Sequence, residues 1–252
     1  NISEKKILSN SYIWSFLKPW LKKNEAYIER KTIYTFQSAI SRKWRKGRIF
    51  IAGDAAHLMP PFMGQGMCAG IRDVSNLAWK ITICINKKHN EKFLDTYQTE
   101  RFSNVKEYIQ TTMRMGEFVN AIGTDKITNN ISFGPDGTKS MQSIKPKLGY
   151  GLGSKIDKNR GKIFPQLKLK NGKILDNKFS KSPILILASE LKRLKKISDI
   201  NSIIEHEVIG LSNLLKKYKA KAIIVRPDRF IFETCGTINK FKILTKKAHL
   251  QL

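Results

Sequence analysis

Acidic residues are scarce in this 252-residue chain: 20 Asp and Glu stand against 47 Lys and Arg, for a formal charge of +27. Cysteine is scarcer still. Cys68, Cys84 and Cys235 are three in number and far apart, which makes neither a disulfide framework nor a metal cluster and fits a reducing cytoplasm. No apolar run approaches the roughly 20 residues that cross a bilayer, so no membrane span is expected. There is no charged-then-apolar leader before a small-residue cleavage site, so no secretory signal is expected either. No internal repeat occurs. What is present suffices for a core: 41% of residues are hydrophobic and 27% charged, which argues against wholesale disorder. The length allows one large domain or two modest ones.

The basic excess has two readings. One is a nucleic-acid or anionic-membrane surface. The other is a compositional drift spread over the whole exterior. The lysines are scattered as pairs (Lys5-Lys6, Lys22-Lys23, Lys87-Lys88, Lys216-Lys217), form no long block, and have no aromatics alternating with them as base-stacking platforms. The second reading is the better one. No nucleic-acid or membrane partner is expected, although the positive field can still attract an anionic substrate or a phosphorylated nicotinamide.

Along the chain, Ile13, Phe16, Leu17 and Trp20 fall at helical spacing, with Pro19 placed to end or kink the helix. Thr32, Tyr34 and Phe36 are two apart within 29–40, as on one face of a strand. Residues 48–52 (RIFIA) form a short apolar run ending at Gly53, the pattern of a buried strand in a parallel or mixed sheet. The prolines and glycines of 58–66 argue against helix or central strand. Beyond them, Met67, Ile71, Val74, Leu77, Ala78, Ile81 and Ile85 predict an amphipathic helix. Phe93, Leu94, Tyr97, Arg101, Val105, Tyr108, Ile109 and Thr112 predict a second. The stretch 123–158 is rich in Gly, Asn, Ser, Lys and Pro and reads as an interdomain connection. Its Gly149-Tyr150-Gly151-Leu152-Gly153 neither follows a strand nor opens a helix, so it is a loop rather than a phosphate cradle. From 159 on, the pattern predicts a buried strand at 183–188, a helix over 199–217, and a hairpin of 220–225 and 230–232 around Arg226-Pro227-Asp228-Arg229. A last helix follows from Thr237. This is a small α/β layer.

The chemistry concentrates in 48–80, RIFIAGDAAHLMPPFMGQGMCAGIRDVSNLAWK. A carboxylate, Asp54, ends an apolar strand, where open α/β sheets place their ligands. It can accept a strong, charge-assisted hydrogen bond from a ligand hydroxyl. Pro60-Pro61 stiffens the backbone. Gly64 and Gly66 clear side chains from a path by which a flat ligand can reach the main chain. They lead directly into a helix, whose free N–H groups and positive dipole end favour an anion. A reduced flavin, with negative charge on its pyrimidine ring, is such a group.

This stretch resembles the second FAD-binding motif of the class A FAD-dependent aromatic-ring monooxygenases, in particular the 3-(3-hydroxyphenyl)propionate hydroxylase branch near the p-hydroxybenzoate and phenol hydroxylases. The resemblance implies that Gly53 and Asp54 hold the ribityl chain and that Pro61 lies beside the isoalloxazine. It also implies that the main-chain amides of Gly66, Met67 and Cys68 meet the flavin pyrimidine edge, with Gly64 part of the same turn. Many relatives carry Asn where Cys68 stands, and either residue offers a main-chain amide. Tyr97-Gln98-Thr99-Glu100-Arg101 resembles the family's Tyr-x-x-Glu-Arg segment. GKIFPQ at 161–166, Leu175-Asp176 and Val225-Arg226-Pro227-Asp228 resemble its C-terminal thioredoxin-like domain, here without Cys-x-x-Cys. The implied fold is α/β (α+β): the C-terminal part of a FAD/NAD(P)-binding Rossmann-like hydroxylase fold followed by a small thioredoxin-like domain. Residues 1–46 would end the substrate-binding sheet region, 47–122 carry the GD motif and its helices, 123–158 link, and 159–252 form the thioredoxin-like domain. The family's Gly-x-Gly-x-x-Gly for the FAD pyrophosphate is not found. The expectation is therefore a fragment without the ADP-binding half, inactive by itself.

The implied activity is hydroxylation of a phenolic ring, such as 3-(3-hydroxyphenyl)propionate, with FAD as cofactor, NADH or NADPH as reductant and O2 as oxidant. A homodimer is compatible with it. The rivals are a same-fold flavoprotein such as a polyketide hydroxylase or epoxidase, and a basic module without enzymatic activity. Individual residues also carry alternatives. Asp54 could merely cap its own turn. His57 is a structural histidine before it is a proton shuttle. Tyr34 and Phe36 are candidates for the substrate pocket or for core. Cys68 could have a reactive thiol or serve only through its N–H. Arg72 and Asp73 point to different helix faces, so structural pairing of each with other residues is expected, and Glu100-Arg101 ties helices together. No catalytic residue and no metal ligand are assigned.

Overall fold

The computed structural model describes residues 2–87, 90–121, 132–133, 139–140, 144–178, 183–197 and 200–251. Two compact units emerge, Asn1–Gln37 and Ser38–Leu252. The first holds α1 (Glu4–Ile7) and α2 (Asn10–Leu17). Ser9 caps α2 by accepting from Tyr12 N, a standard N-terminal arrangement, and the helix stops short of Pro19. Residues 26–37 have no strand partner among the described residues, so the strand expected over 29–40 is reduced to its last two residues, in the second unit.

That second unit opens with two antiparallel pairs. β1 (Ala39–Ile40) pairs with β4 (His57–Leu58), and β2 (Arg45–Lys46) pairs with β3 (Ile49–Phe50). The buried strand expected at 48–52 is therefore corrected to one arm of a two-residue hairpin. Ile49 is 71% exposed, while Phe50, on the opposite face, packs against the core. Two long helices follow, α3 (Gly66–Lys87) and α4 (Thr96–Ala121), the second entered through a 3-10 turn at Glu91–Asp95. α4 buries the face its spacing predicts: Tyr97, Arg101, Val105, Tyr108, Ile109 and Thr112 are all buried. A short pair, β5 (Ser132–Phe133) with β6 (Lys139–Ser140), lies within the stretch read as a connection, of which 123–131, 134–138 and 141–143 fall outside the described residues.

The C-terminal part is a four-stranded sheet in the order β10-β9-β7-β8. β7 (Ile184–Leu187) runs parallel to β8 (Asn201–Ile204) and antiparallel to β9 (Ala222–Val225), which pairs antiparallel with β10 (Ile231–Cys235). The helix expected over 199–217 is thus corrected: it opens as a strand, Asn201–Ile204, and a 3-10 turn, Glu205–Glu207. Ile203 and Ile204 extend alongside β7, and only α5 (Leu211–Tyr218) is helical. Tertiary pairing overrode local preference there. β7 and β9 are buried throughout, as a central run covered on both faces must be. The period of two divides them. Ile184, Ile186, Ile223 and Val225 face Leu211 and Leu215 of α5. Leu185, Leu187, Ala222 and Ile224 face α6 (Ile238–Gln251), with Phe241, Leu244 and Ala248. Trp79 of α3 and Leu152 join this second cluster, so the helix pair and the sheet share a core.

The loop 149–153 is a close-fitting strap over α4. Gly149 N donates to Glu100 O at 2.7 Å and Leu152 N to Glu100 Oε1 at 2.9 Å. Any side chain at Gly151 would collide with Glu100. Among the described residues, no helix is long and apolar enough to cross a membrane.

Candidate functional site

The residues of the Gly-Asp motif occupy a 3-10 turn, Gly53–Ala55, stacked on the N-terminal half of α3. Gly53 adopts φ +57°, a conformation costly for residues with a Cβ. A Cβ built on Gly70 would stand 3.3 Å from Gly53 Cα, so turn and helix meet glycine to glycine. The clamp is Asp73, fully buried on α3. Its Oδ2 accepts from Gly53 N at 3.0 Å and lies 2.6 Å from His57 Nε2. Its Oδ1 accepts from Arg101 Nε at 2.8 Å. Burial opposes the charge on Asp73, but the bonds from His57 and Arg101 prevail and hold its pKa below 3.8. Arg101 also donates to Asn104 Oδ1, and Asn104 Nδ2 donates to Pro146 O at 2.7 Å. His57 is buried, bonded to Asp73 and packed 5.5 Å from the Trp44 ring; its geometry is structural.

The mouth above this clamp is open. Asp54 is exposed, and its carboxylate has no hydrogen bond or ion pair among the described residues. It does not cap its own turn, where no side-chain cap bond is made. Pro60 is extended at ψ 152°, Pro61 opens a second 3-10 turn, and Gly64 closes it in the left-handed region. A Cβ at Gly64 or Gly66 would meet nothing within 4 Å. α3 begins at Gly66 with no acidic residue in its first turn, so the dipole end formed by Gly66, Met67 and Cys68 is uncompensated. Met67 is 77% exposed; Cys68 is half-buried and its thiol is free. These groups fit a flavin: a free acceptor for a polyol, a stiff proline edge, and bare amides for an anionic ring edge. Tyr34 and Phe36 lie in the first unit, stacked 6.4 Å apart and 64% and 55% exposed.

Below the mouth runs a second buried network that ties helices to sheet. Glu100 Oε2 accepts from Lys80 Nζ at 2.8 Å, Asn76 Nδ2 at 3.0 Å and Arg226 Nη2 at 2.8 Å. Its Oε1 accepts from Arg226 Nη1 at 2.8 Å. Asp228 accepts from Arg226 and from Asn76. Two cations face two carboxylates, the arrangement in which buried charge is tolerated. Burial alone would raise the Glu100 pKa, yet Arg226 and Lys80 bring it far below the ordinary carboxylate range. Burial also lowers Lys80 to about 8, against the opposing pull of Glu100. Sequence reasoning singled out Glu100-Arg101 and the Arg226–Asp228 segment and expected Asp73 to pair with residues other than Arg72, as it does with Arg101 and His57; it missed Asn76 and Lys80 as partners of Glu100 and Gly70 as the neighbour of Gly53. The signal was present: Asp73, Asn76 and Lys80 are spaced three and four apart, a polar stripe on one helix face.

A family model, FAD binding domain, matches residues 21–112. The chain is 36% identical over 158 residues to the probable NADH-specific resorcinol 4-hydroxylase of Rhodococcus jostii (strain RHA1), covering 61% of this chain and 29% of that protein. It is 33% identical over 141 residues to the 3-(3-hydroxy-phenyl)propionate/3-hydroxycinnamic acid hydroxylase of Mycobacterium avium (strain 104), covering 53% and 24%. Among solved structures, aklavinone-11 hydroxylase with FAD and aklavinone matches with a TM-score of 0.59 at 18% identity, over 87% of this chain and 46% of that one. The flavin-dependent monooxygenase PieE in complex with FAD and substrate matches with a TM-score of 0.60 at 16% identity, over 86% and 50%. The chain thus spans less than a third of these curated relatives and about half of the solved structures that share its fold. The chain is similar, over residues 21–112, to the FAD binding domain model, and the curated relatives it matches are named as aromatic-ring hydroxylases.

Proposed function

We propose that this chain is the flavin-edge and C-terminal part of an FAD-dependent monooxygenase that hydroxylates a phenolic ring, with NADH or NADPH as reductant and O2 as oxidant. The observation that carries the reading is Asp54: an exposed, unpartnered carboxylate on a turn that Asp73 holds rigid, beside a glycine-cleared helix start. In this reading Asp54 accepts from the ribityl hydroxyls, Pro61 borders the ring system, and the Gly66, Met67 and Cys68 amides face the pyrimidine edge. Bound FAD supplies the oxygen chemistry. The chain's own residues orient the ring and offer fixed dipoles where negative charge collects. The substrate is a phenol with a short carboxylate chain, as the name of the Mycobacterium avium relative suggests, and the setting is cytoplasmic. Tyr34 and Phe36 are candidate substrate contacts.

The four-stranded sheet reads as a thioredoxin-like domain, supported by its strand order and by the βαβ unit followed by a hairpin and a helix. Lacking Cys-x-x-Cys, it acts structurally, presenting Arg226 and Asp228 to the helix pair. The test is flavin retention and substrate-stimulated NAD(P)H oxidation in the protein that carries this chain, with product identification to separate phenol hydroxylation from other flavin chemistry. Asp54→Ala, which removes a charge-assisted bond, should weaken FAD binding by about tenfold with no change in melting. Full flavin occupancy and activity in that variant would overturn the assignment.

A further inference from the structure

The turn that carries Pro61 is closed on itself but lightly tied to the rest of the molecule. Gly64 N donates to Pro61 O at 2.9 Å, and Gln65 Nε2 donates to Met63 O at 3.4 Å. Among the described residues, no hydrogen bond joins 60–64 to a helix or strand. The contact that anchors the turn is a ring. Phe62 lies against α4 at Gly116: a Cβ built on Gly116 would stand 2.5 Å from Phe62 Cε2, 3.0 Å from Cδ2 and 3.1 Å from Cζ. The ring fits because that residue is a glycine. Gly116 is buried and follows the buried Thr112 by four residues and the buried Tyr108 by eight, so the ring sits on the covered face of α4. Glycine weakens a helix interior, and α4 continues past it to Ala121. Helix propensity gives no reason for a glycine there; the notch does.

We propose that Phe62, seated in the notch at Gly116, is a positioning residue for the flavin edge: it fixes the Pro61–Gly64 turn against α4 and so sets where Pro61 and the Gly66, Met67 and Cys68 amides stand. The inference rests on the flavin reading and adds to it two residues that no motif assigns, one of them 50 residues beyond the turn. The argument is mechanical. The turn is braced by its own hydrogen bond and by Gly64 in the left-handed region, so it moves as a unit. Close-packed contacts transmit displacement rather than absorb it. A methyl group at position 116 pushes the ring out of its notch, and the ring takes Pro61, its immediate neighbour, with it. A shorter side chain at position 62 frees the space that the methyl group needs. The two positions are therefore coupled, with compensating signs.

The test is a double-mutant cycle in the protein that carries this chain, read by FAD titration, by the absorption spectrum of the bound flavin and by thermal melting without FAD. Gly116→Ala should weaken FAD binding about tenfold and shift the flavin spectrum. Its melting temperature should hold or rise, because alanine is the better helix former. Loss of affinity without loss of stability is the signature that a merely structural contact does not give. Phe62→Ala should also weaken FAD binding, since the turn loses its anchor; Phe62 is 39% exposed, so the fold survives the change. Combining Gly116→Ala with Phe62→Leu should bring affinity back to within about threefold of wild type. Asp54→Ala separates the two readings. If it weakens FAD binding while Gly116→Ala does not, the positioning role is wrong and the flavin reading stands. If neither variant affects FAD, both fall. A double variant no better than Gly116→Ala alone would also overturn the proposal.

Discussion

Helix α3 and the central strands β7 and β9 are both covered on their long faces, but by opposite chemistry. The strands bury an unbroken aliphatic run, Ile184–Leu187 against Ala222–Val225. The helix buries Asp73, Asn76 and Lys80 and leaves Met67, Ile71, Val74 and Ile85 more than half exposed. In the sheet, stability comes from apolar area removed from water and is distributed over many residues. In the helix, it depends on whether each buried charge keeps its partners. One lost methylene is tolerable in the first case; one lost carboxylate is not in the second.

The sharpest way to break this contrast is to remove the shared acceptor. Glu100→Gln leaves Lys80 and Arg226 buried with Asp228 as their one remaining counter-ion, and should lower the unfolding free energy by about 3–5 kcal/mol. Leu185→Ala, in the middle of the sheet, should cost about 2–5 kcal/mol through lost burial and the cavity left behind. Urea titration of both variants measures the difference. If Glu100→Gln costs less than about 1 kcal/mol, the network is ornamental and the aliphatic clusters alone hold the unit together.

A pH series separates the two regions further, because only one of them titrates. Asp73 and Glu100 have folded pKa values below their ordinary 3.8 and 4.5. As pH falls, the unfolded carboxylates take up protons first. Their contribution is therefore complete above about 4.5 and is lost as pH drops through the lowered folded values. Lys80 acts at the other end, with a folded pKa of about 8 against 10.5. Between those values the unfolded chain holds a proton that the folded one has released, so this group's contribution rises with pH across that window. Urea midpoints followed across pH should show both limbs in the wild type. In Glu100→Gln the acid limb should be reduced to the Asp73 part; an unchanged limb would mean that the two carboxylates do not control acid unfolding.

What the sequence made legible follows the same division. The strands at 184–187 and 222–225 and the turn between β9 and β10 could be read directly, because an apolar run bounded by Pro and Asp has few other solutions. The segment 53–66 could be singled out because its glycines, prolines and lone acid have meaning at short range. The polar face of α3 was not, since hydrophobic periodicity points to Met67, Ile71 and Val74 as the covered side. Only partners 20 to 152 residues away in sequence, Glu100, Arg101 and Asp228, explain why Asp73, Asn76 and Lys80 are inside. β8 was missed for the related reason that its parallel pairing with β7 is set by distant chain.

Asp73→Asn tests whether the ionic helix face serves the site as well as the fold. The amide keeps the size of the side chain but loses the charge that Arg101 and His57 bond, and should cost about 1–3 kcal/mol in stability. Because Gly53 N also depends on it, the turn bearing Asp54 should loosen, and flavin affinity should fall even where the protein remains folded. Gly53→Ala perturbs the same turn from the other side and more gently. The nearest atom to its new Cβ is Gly70 Cα at 3.6 Å, an ordinary contact, so its cost is essentially that of a left-handed residue, about 1–2 kcal/mol. A thermal melt would show a small shift and a flavin titration a larger one. Equal, small effects on both would mean that the turn's exact shape matters to folding but not to the ligand, and that Asp73 is a structural clamp with no bearing on the site above it.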